Sequence, residues 1–250
     1  MDSKEQYNKL VEKTREFFKK QRFQKAVIGL SGGIDSSLTA KIVAEAIGKE
    51  NVTGAIMPEK TNTPESKEYA LELAEELGIK TVEININEFF KPFYKMLPWE
   101  QNRASKTNLK PRIRMIVLYN YANKNNAIVV GTSNKTELML GYFTKYGDGA
   151  TDFLPLGNLF KTEIYKLSKT AGIPKKIIER KPSAELEENQ FDEEDLGLSY
   201  KEIDEILKET EKGTNEKEII KKFGKKAGEI INRIKENKHK TEKIEKIELN

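Results

Sequence analysis

The run Ala26-Val27-Ile28-Gly29-Leu30 passes through Ser31-Gly32-Gly33 into a helix-patterned stretch that Asp35-Ser36-Ser37 opens and that closes near Gly48. No other feature limits the fold as much. A short apolar strand joined by small residues to an apolar helix must bury both, and a parallel βαβ unit does so. The rhythm then repeats. Val52–Met57 reads as a strand, Ser66–Leu77 as a helix closed by Gly78, and Thr81–Ile86 as a strand. Arg112–Lys124 reads as a helix and Ile128–Gly131 as another strand. Strands alternating with helices of this length predict a parallel sheet with right-handed crossovers. A first helix, with Leu10, Phe17 and Phe18 at helical spacing, precedes them and ends near Gln21.

Three regions break the pattern. Residues 98–111 are polar and read as a mobile loop. Residues 141–161, with Gly141, Gly147, Gly149 and Gly157, are too irregular for a long helix. Residues 181–197 are acidic and punctuated by Pro182. Long loops in an α/β domain commonly carry binding residues. From Leu198 onward the pattern is helical and heavily charged, with Ile and Leu on one face.

Composition removes several functions. The chain has 250 residues, enough for a real core, and 44 basic against 40 acidic side chains give a net charge of only +4. That balance predicts neither a nucleic acid nor a membrane partner. There is no cysteine, hence no disulfide, thiolate metal site or cysteine nucleophile, and a single histidine, His239, cannot build a histidine cage. No apolar run approaches the ~18 residues of a membrane span. The N-terminus is charged and helical rather than a signal peptide, so a cytoplasmic protein is expected.

The chemistry starts at the first loop. Gly32 and Gly33 let backbone N–H groups turn inward, the next helix adds its N-terminal dipole, and Ser31, Ser36 and Ser37 offer hydroxyls. Such a loop cradles a polyphosphate. Asp35 within it would repel phosphate unless a divalent cation lay between them, which predicts Mg²⁺. Asp35 as an ordinary helix cap is the competing reading. The loop is not a Walker A motif, because no Gly-Lys-Ser/Thr occurs, and no Gly-x-Gly-x-x-Gly fingerprint is present.

The stretch Ser31-Gly32-Gly33-Ile34-Asp35-Ser36-Ser37 resembles the pyrophosphate loop of the ATP pyrophosphatases. The second half resembles the NAD synthetases among them. The blocks are Gly131-Thr132-Ser133-Asn134-Lys135-Thr136-Glu137, Lys145-Tyr146-Gly147-Asp148, Pro155-Leu156-Gly157 before Lys161-Thr162, Lys181 to Leu186, Gln190 to Glu193, and His239-Lys240. The resemblance implies one domain over residues 1–250, with an α/β core at about 22–175 and a helical C-terminal extension at about 192–250. The fold would be a Rossmann-like parallel sheet of about five strands flanked by helices.

The resemblance also implies amidation of deamido-NAD with ammonia and ATP, the last step of NAD biosynthesis. ATP would meet Gly29, Leu30, Ser31, Gly32, Gly33, Ile34, Asp35, Ser36, Thr132, Lys161 and Ser183. Mg²⁺ would sit on Asp35 and Glu137, the latter otherwise a surface glutamate. Lys161, Ser183 and Asp152 would be catalytic, Asp152 as a weak candidate for holding ammonium. Deamido-NAD would meet Arg112, Lys145, Asp152, His239 and Lys240; an ordinary loop turn is the other reading of Asp152. The family motif around Arg112 carries Pro111 where alanine is expected, at what reads as a first helical turn. A homodimer is implied, with Met115, Ile116, Leu118 and Tyr119 on its surface, though intrachain packing would use the same residues. Trp99 is equally a partner anchor or a core residue. Other ligases of the loop family, tRNA-modifying enzymes among them, and a non-catalytic nucleotide sensor are the alternatives. Lacking cysteine, the chain should use free ammonia, or ammonia made by another polypeptide, and not hydrolyse glutamine itself.

Overall fold

The computed structural model describes residues 2–187, 189–242, 244, 246 and 247. Helix α1 (Ser3–Lys19) starts on Asp2, whose side chain accepts from the Glu5 N–H. The strand β1 (Lys25–Gly29) then leads into α2 (Ile34–Ile47), β2 (Val52–Ile56), α3 (Pro64–Leu77) and β3 (Lys80–Glu83). Two helices follow, α4 (Asn87–Met96) and α5 (Arg103–Asn125), before β4 (Ala127–Val130) and α6 (Lys135–Leu140). The remainder is helical: α7 (Lys161–Thr170), α8 (Lys175–Glu179), α9 (Asp192–Leu196), α10 (Tyr200–Glu211), α11 (Glu216–Phe223) and α12 (Lys225–Asn237).

The four strands are parallel, in the order β3-β2-β1-β4. Val27 of β1 lies between Thr53 on one side and Val129 on the other. Alternation along β1 sends Ala26 and Ile28 to a core shared with α2 and α3, whereas Val27 packs against Ile113 and Ala122 of α5. Both faces are therefore covered, which is why these strands read as continuous apolar runs. A further cluster joins α1, α2 and α7, and a fourth closes α10, α11 and α12 onto Leu140 and Phe160. No described helix is long and apolar enough to cross a membrane.

The sheet departs from the expected five strands. The fifth position is a single parallel bridge between Val130 and Phe153, because the glycine-rich segment turns away before a ladder can form. The segment 98–111 also differs from expectation. Asn102 accepts from the Ser105 N–H and caps α5, so the helix begins at Arg103, and Pro111 lies in its interior, buried, not in the first turn. Proline there removes one ladder donor, and its ring packs near Gly147.

The chain order makes a crevice. Beyond β1 the backbone leaves toward α2; beyond β4, on the neighbouring strand, it leaves toward α6. At such a switch point the loops diverge and ligands bind.

Candidate active site

A cavity of about 970 Å³ opens over the ends of β1 and β4. Its floor is the loop after β1. Gly33 caps α2 without any side-chain bond, so the first N–H groups of α2 remain available to an anion. Gly32 has φ +72°, and a Cβ on it would run into the Ser66 carbonyl. Ser36 Oγ donates to the Gly33 carbonyl at 3.0 Å and lies 3.0 Å from Ser31 Oγ, which pins the bend. Ser37 does not face the ligand space: it is buried and donates to the Gly33 carbonyl at 2.8 Å. Gly29, Leu30, Ser31, Gly33, Ile34, Asp35, Ser36, Thr132 and Ser183 line the cavity.

Three helix starts bring the charges together. Lys161, the first residue of α7, is 2% exposed and reaches Asp35 Oδ2 at 2.5 Å and Glu137 Oε1 at 3.6 Å. Asn134 donates to Asp35 Oδ1 at 2.8 Å and also caps α6, accepting from the Glu137 N–H at 3.0 Å. Glu137 returns the contact by accepting from the Asn134 N–H. That capping box fixes the glutamate beside the loop after β1. Asp192 joins from α9, accepting from Tyr200 Oη at 2.8 Å and Tyr142 Oη at 3.2 Å.

The electrostatics follow from burial. Burial pushes the Glu137 carboxyl up, the Asp35 charge adds to that, and the Lys161 ammonium only partly opposes them, leaving it at about 8. For Lys161 burial works against the ammonium, but Asp35 and Glu137 outweigh it and raise its pKa. Asp192 is likewise raised by burial despite Lys161. Asp35 and Glu137 share the Lys161 ammonium, and Asp192 stands behind them on Tyr200 and Tyr142. Asp35 and Glu137 supply hard oxygen donors, and two carboxylates completed by phosphate and water suit Mg²⁺. No cluster of three or more acidic or histidine ligands occurs among the described residues, so a metal cage made of protein alone is not what the chain offers.

The residues expected to meet the second substrate divide. Lys240 lines the cavity, its Nζ donating to the carbonyls of Gly141 and Phe143. Arg112, Lys145, Asp152 and His239 are not among the lining residues. Arg112 is exposed and donates to the Lys145 carbonyl at 3.3 Å; Lys145 Nζ donates to the His239 carbonyl at 2.6 Å. Asp152 has both oxygens engaged, by Tyr119 Oη at 3.0 Å and the Val129 N–H at 2.9 Å. Within one chain these four form a rim outside the cavity. Met115 and Leu118 face the cavity, whereas Ile116 is 57% exposed and Trp99 is 62% exposed, so Trp99 is not a core residue.

Sequence reasoning missed several cavity residues. Arg114, two residues beyond Arg112 and so on another face of α5, donates to the Met57 carbonyl and to Asn62 Oδ1. Glu185 accepts from Asn62 and Ser66 and pairs with Arg180, tying the acidic loop to α3. Glu59 lines the cavity and is held at 2.8 Å by Lys110 Nζ, which does not line it. Arg233 lines the far end near Lys240 with its guanidinium 5.2 Å from the Tyr142 ring centre. Arg114 lies two residues from the motif residue Arg112 and Glu185 within the block Lys181 to Leu186, and nothing singled out the other two.

The sequence model described as NAD synthase matches residues 6–244. This chain belongs to the NAD synthase family. It is 48% identical over 217 residues to an NH(3)-dependent NAD(+) synthetase of Archaeoglobus fulgidus, covering 86% of this chain and 85% of that one. A Methanocaldococcus jannaschii protein of the same name is 46% identical over 239 residues, covering 93% and 92%. Among solved structures, an NMN synthetase from Francisella tularensis superposes with a TM-score of 0.90 at 36% identity, covering 100% of both chains. An NH3-dependent NAD synthetase from Campylobacter jejuni gives 0.83 at 34% identity, covering 99% of this chain and 100% of that one. In this NAD synthase family member the glycine loop after β1 and Lys161 line one cavity.

Proposed function

We propose that this cavity amidates deamido-NAD: ATP, the pyridine acid and ammonia give NAD, AMP and pyrophosphate. The chain is then a C–N ligase. The observation that carries the reading is the meeting of Lys161, Asp35 and Glu137 beside a glycine loop with free helix-start donors.

A carboxylate resists attack by ammonia, since its charge repels the nucleophile and oxide is a poor leaving group. The α2 N-terminus and the Gly33 bend hold the triphosphate, with Ser183 and Thr132 on the walls. The nicotinate oxygen attacks the α-phosphorus, and pyrophosphate departs with its electron pair. Lys161 lies where charge grows on that leaving group and stabilises it. Ammonia then adds to the acyl carbon of the adenylate, AMP leaves and the nitrogen loses a proton. Asp35 and Glu137 would hold Mg²⁺, which when bound neutralises phosphate charge. Arg233 and Lys240, two cations at the far end, suit the anionic groups of the acid. Asp152 is not assigned the ammonium, because both its oxygens are taken.

The rim formed by Arg112, Lys145, Asp152 and His239 would contact the adenylate half of the dinucleotide. We place that contact at a homodimer interface: α4 has no buried residue and carries Phe89, Phe93 and Met96 on one face, with Ile116 exposed on α5. A cytoplasmic setting, where ATP is abundant, fits a chain without cysteine. The test is pyrophosphate release from ATP with deamido-NAD, ammonium and Mg²⁺. Release that persists without the acid would overturn the reading.

A second reading changes only the acid. The likeness to the Francisella NMN synthetase, together with a rim that lies outside the cavity, favours nicotinate mononucleotide. Comparing kcat/KM for the two acids decides; a higher value for the mononucleotide selects the second.

A further inference from the structure

The C-terminal helices carry a buried carboxylate that the reaction scheme does not use. Asp204 of α10 is 1% exposed, on the face of Tyr200, Ile203, Ile206 and Leu207, where an apolar residue belongs. No cation lies within ion-pair distance of it among the described residues. Its Oδ1 accepts from Thr136 Oγ1 at 2.5 Å, and its Oδ2 accepts from the Thr162 N–H at 2.8 Å. Thr136 Oγ1 in turn accepts from the Lys161 N–H at 2.9 Å.

These bonds have a direction. Thr136 gives its only hydroxyl proton to Asp204 and so turns a lone pair to the Lys161 N–H. Helix α7 has no side-chain cap from Phe160, its own N-cap residue. Its first two N–H groups are satisfied instead by Thr136 and Asp204, from two other helices. An anion at a helix N-terminus is favourable in itself, so the site can hold the charge. The consequence lies one residue away on each arm. Thr136 precedes Glu137, and Lys161 precedes Thr162, so one carboxylate sets the separation of the two groups that face the phosphates.

We infer that Asp204, acting through Thr136, is a positioning residue for Lys161 and Glu137, and that α10 thereby belongs to the catalytic apparatus. The inference rests on the proposed amidation. Wild-type protein must therefore first convert deamido-NAD; failure there sinks the proposed function, whereas the variants below address Asp204 alone.

Asp204→Asn keeps the shape and one acceptor but turns an amide N–H toward Thr136 or Thr162. A misplacement of this kind should lower kcat roughly 10- to 100-fold, with KM for ATP and for deamido-NAD within about twofold of wild type. Thr136→Val should do the same and Thr136→Ser should restore the rate. The double variant Asp204→Asn/Thr136→Val should be no slower than the slower single one, since both break one chain of bonds. Isotope exchange between pyrophosphate and ATP in the presence of the acid should fall in step with kcat. If Asp204→Asn does not fold, the Thr136 pair decides by itself. Wild-type kcat in folded Asp204→Asn or Thr136→Val, losses that multiply in the double variant, or a defect confined to KM would overturn the assignment.

Discussion

At the scale of the residue, Glu137 is expensive to hold ionised without ligand. Glu137 binds its proton far more tightly in the native protein, at about 8, than its ordinary 4.5, because burial and Asp35 disfavour the anion. Between those values the native state carries more protons than the unfolded state, so metal-free stability must fall as pH rises through that window. Glu137→Gln has no such proton to lose. The expected outcome, read by calorimetry with a chelator present, is a melting temperature above wild type at pH 8 to 9 and a gap that closes toward pH 5. A gap independent of pH would show that Glu137 is not buried as described. Lys161→Met leaves Asp35 and Glu137 facing each other. We expect kcat to drop at least ~100-fold, the usual size of losing one stabiliser of developing charge. Metal-free stability should fall by about 3 kcal/mol, the scale for an orphaned buried ion. Mg²⁺ should raise the melting temperature of this variant more than that of wild type, since the cation replaces the lost charge.

At the scale of the element, strand and helix patterning placed β1, α2, β2, α3 and β4 within a few residues, because apolar periodicity is a local signal. The bend after β1, where we place the phosphates, was legible for the same reason: Gly32, Gly33 and Asp35 are neighbours in sequence. Gly32→Ala tests that loop, as the methyl would strike the Ser66 carbonyl at a left-handed φ. We expect roughly 2 kcal/mol of lost stability and markedly weaker ATP binding in titration calorimetry; unchanged affinity would mean that the bend is not the phosphate site. What was not legible was relational. The start of α5 was misplaced because Pro111 reads as a boundary, and only the cap on Asn102 and the buried ring show it inside. Arg112 and Arg114 are indistinguishable by composition; helix rotation alone sends one to the rim and the other to the cavity. Asp204 stood as a lone acid on an apolar face, which was a visible signal, but its partners lie 68 and 42 residues away.

At the scale of the whole molecule, Arg112, Lys145, Asp152 and His239 lie beside lining residues without lining the cavity themselves, and the proposed dimer would give them a functional part. Phe89, Phe93 and Met96 recur at i, i+4 and i+7, so α4 presents one apolar face, and Met96 is 73% exposed. A face like this, on a short helix that is held to the core chiefly through Phe90 and has no fully buried residue, is costly to leave in water. Introducing a charge there, as in Met96→Glu, adds an ion that an interface would have to desolvate but leaves the cavity walls untouched. If α4 forms the interface, sedimentation velocity at micromolar concentration should show a dimer for wild type and a monomer for the variant. KM for deamido-NAD should rise about tenfold or more while KM for ATP stays near wild type, if the partner subunit completes the dinucleotide site and not the triphosphate site. A monomeric variant with unchanged KM for both substrates would mean that one chain binds the whole dinucleotide, and the rim would lose its assigned role.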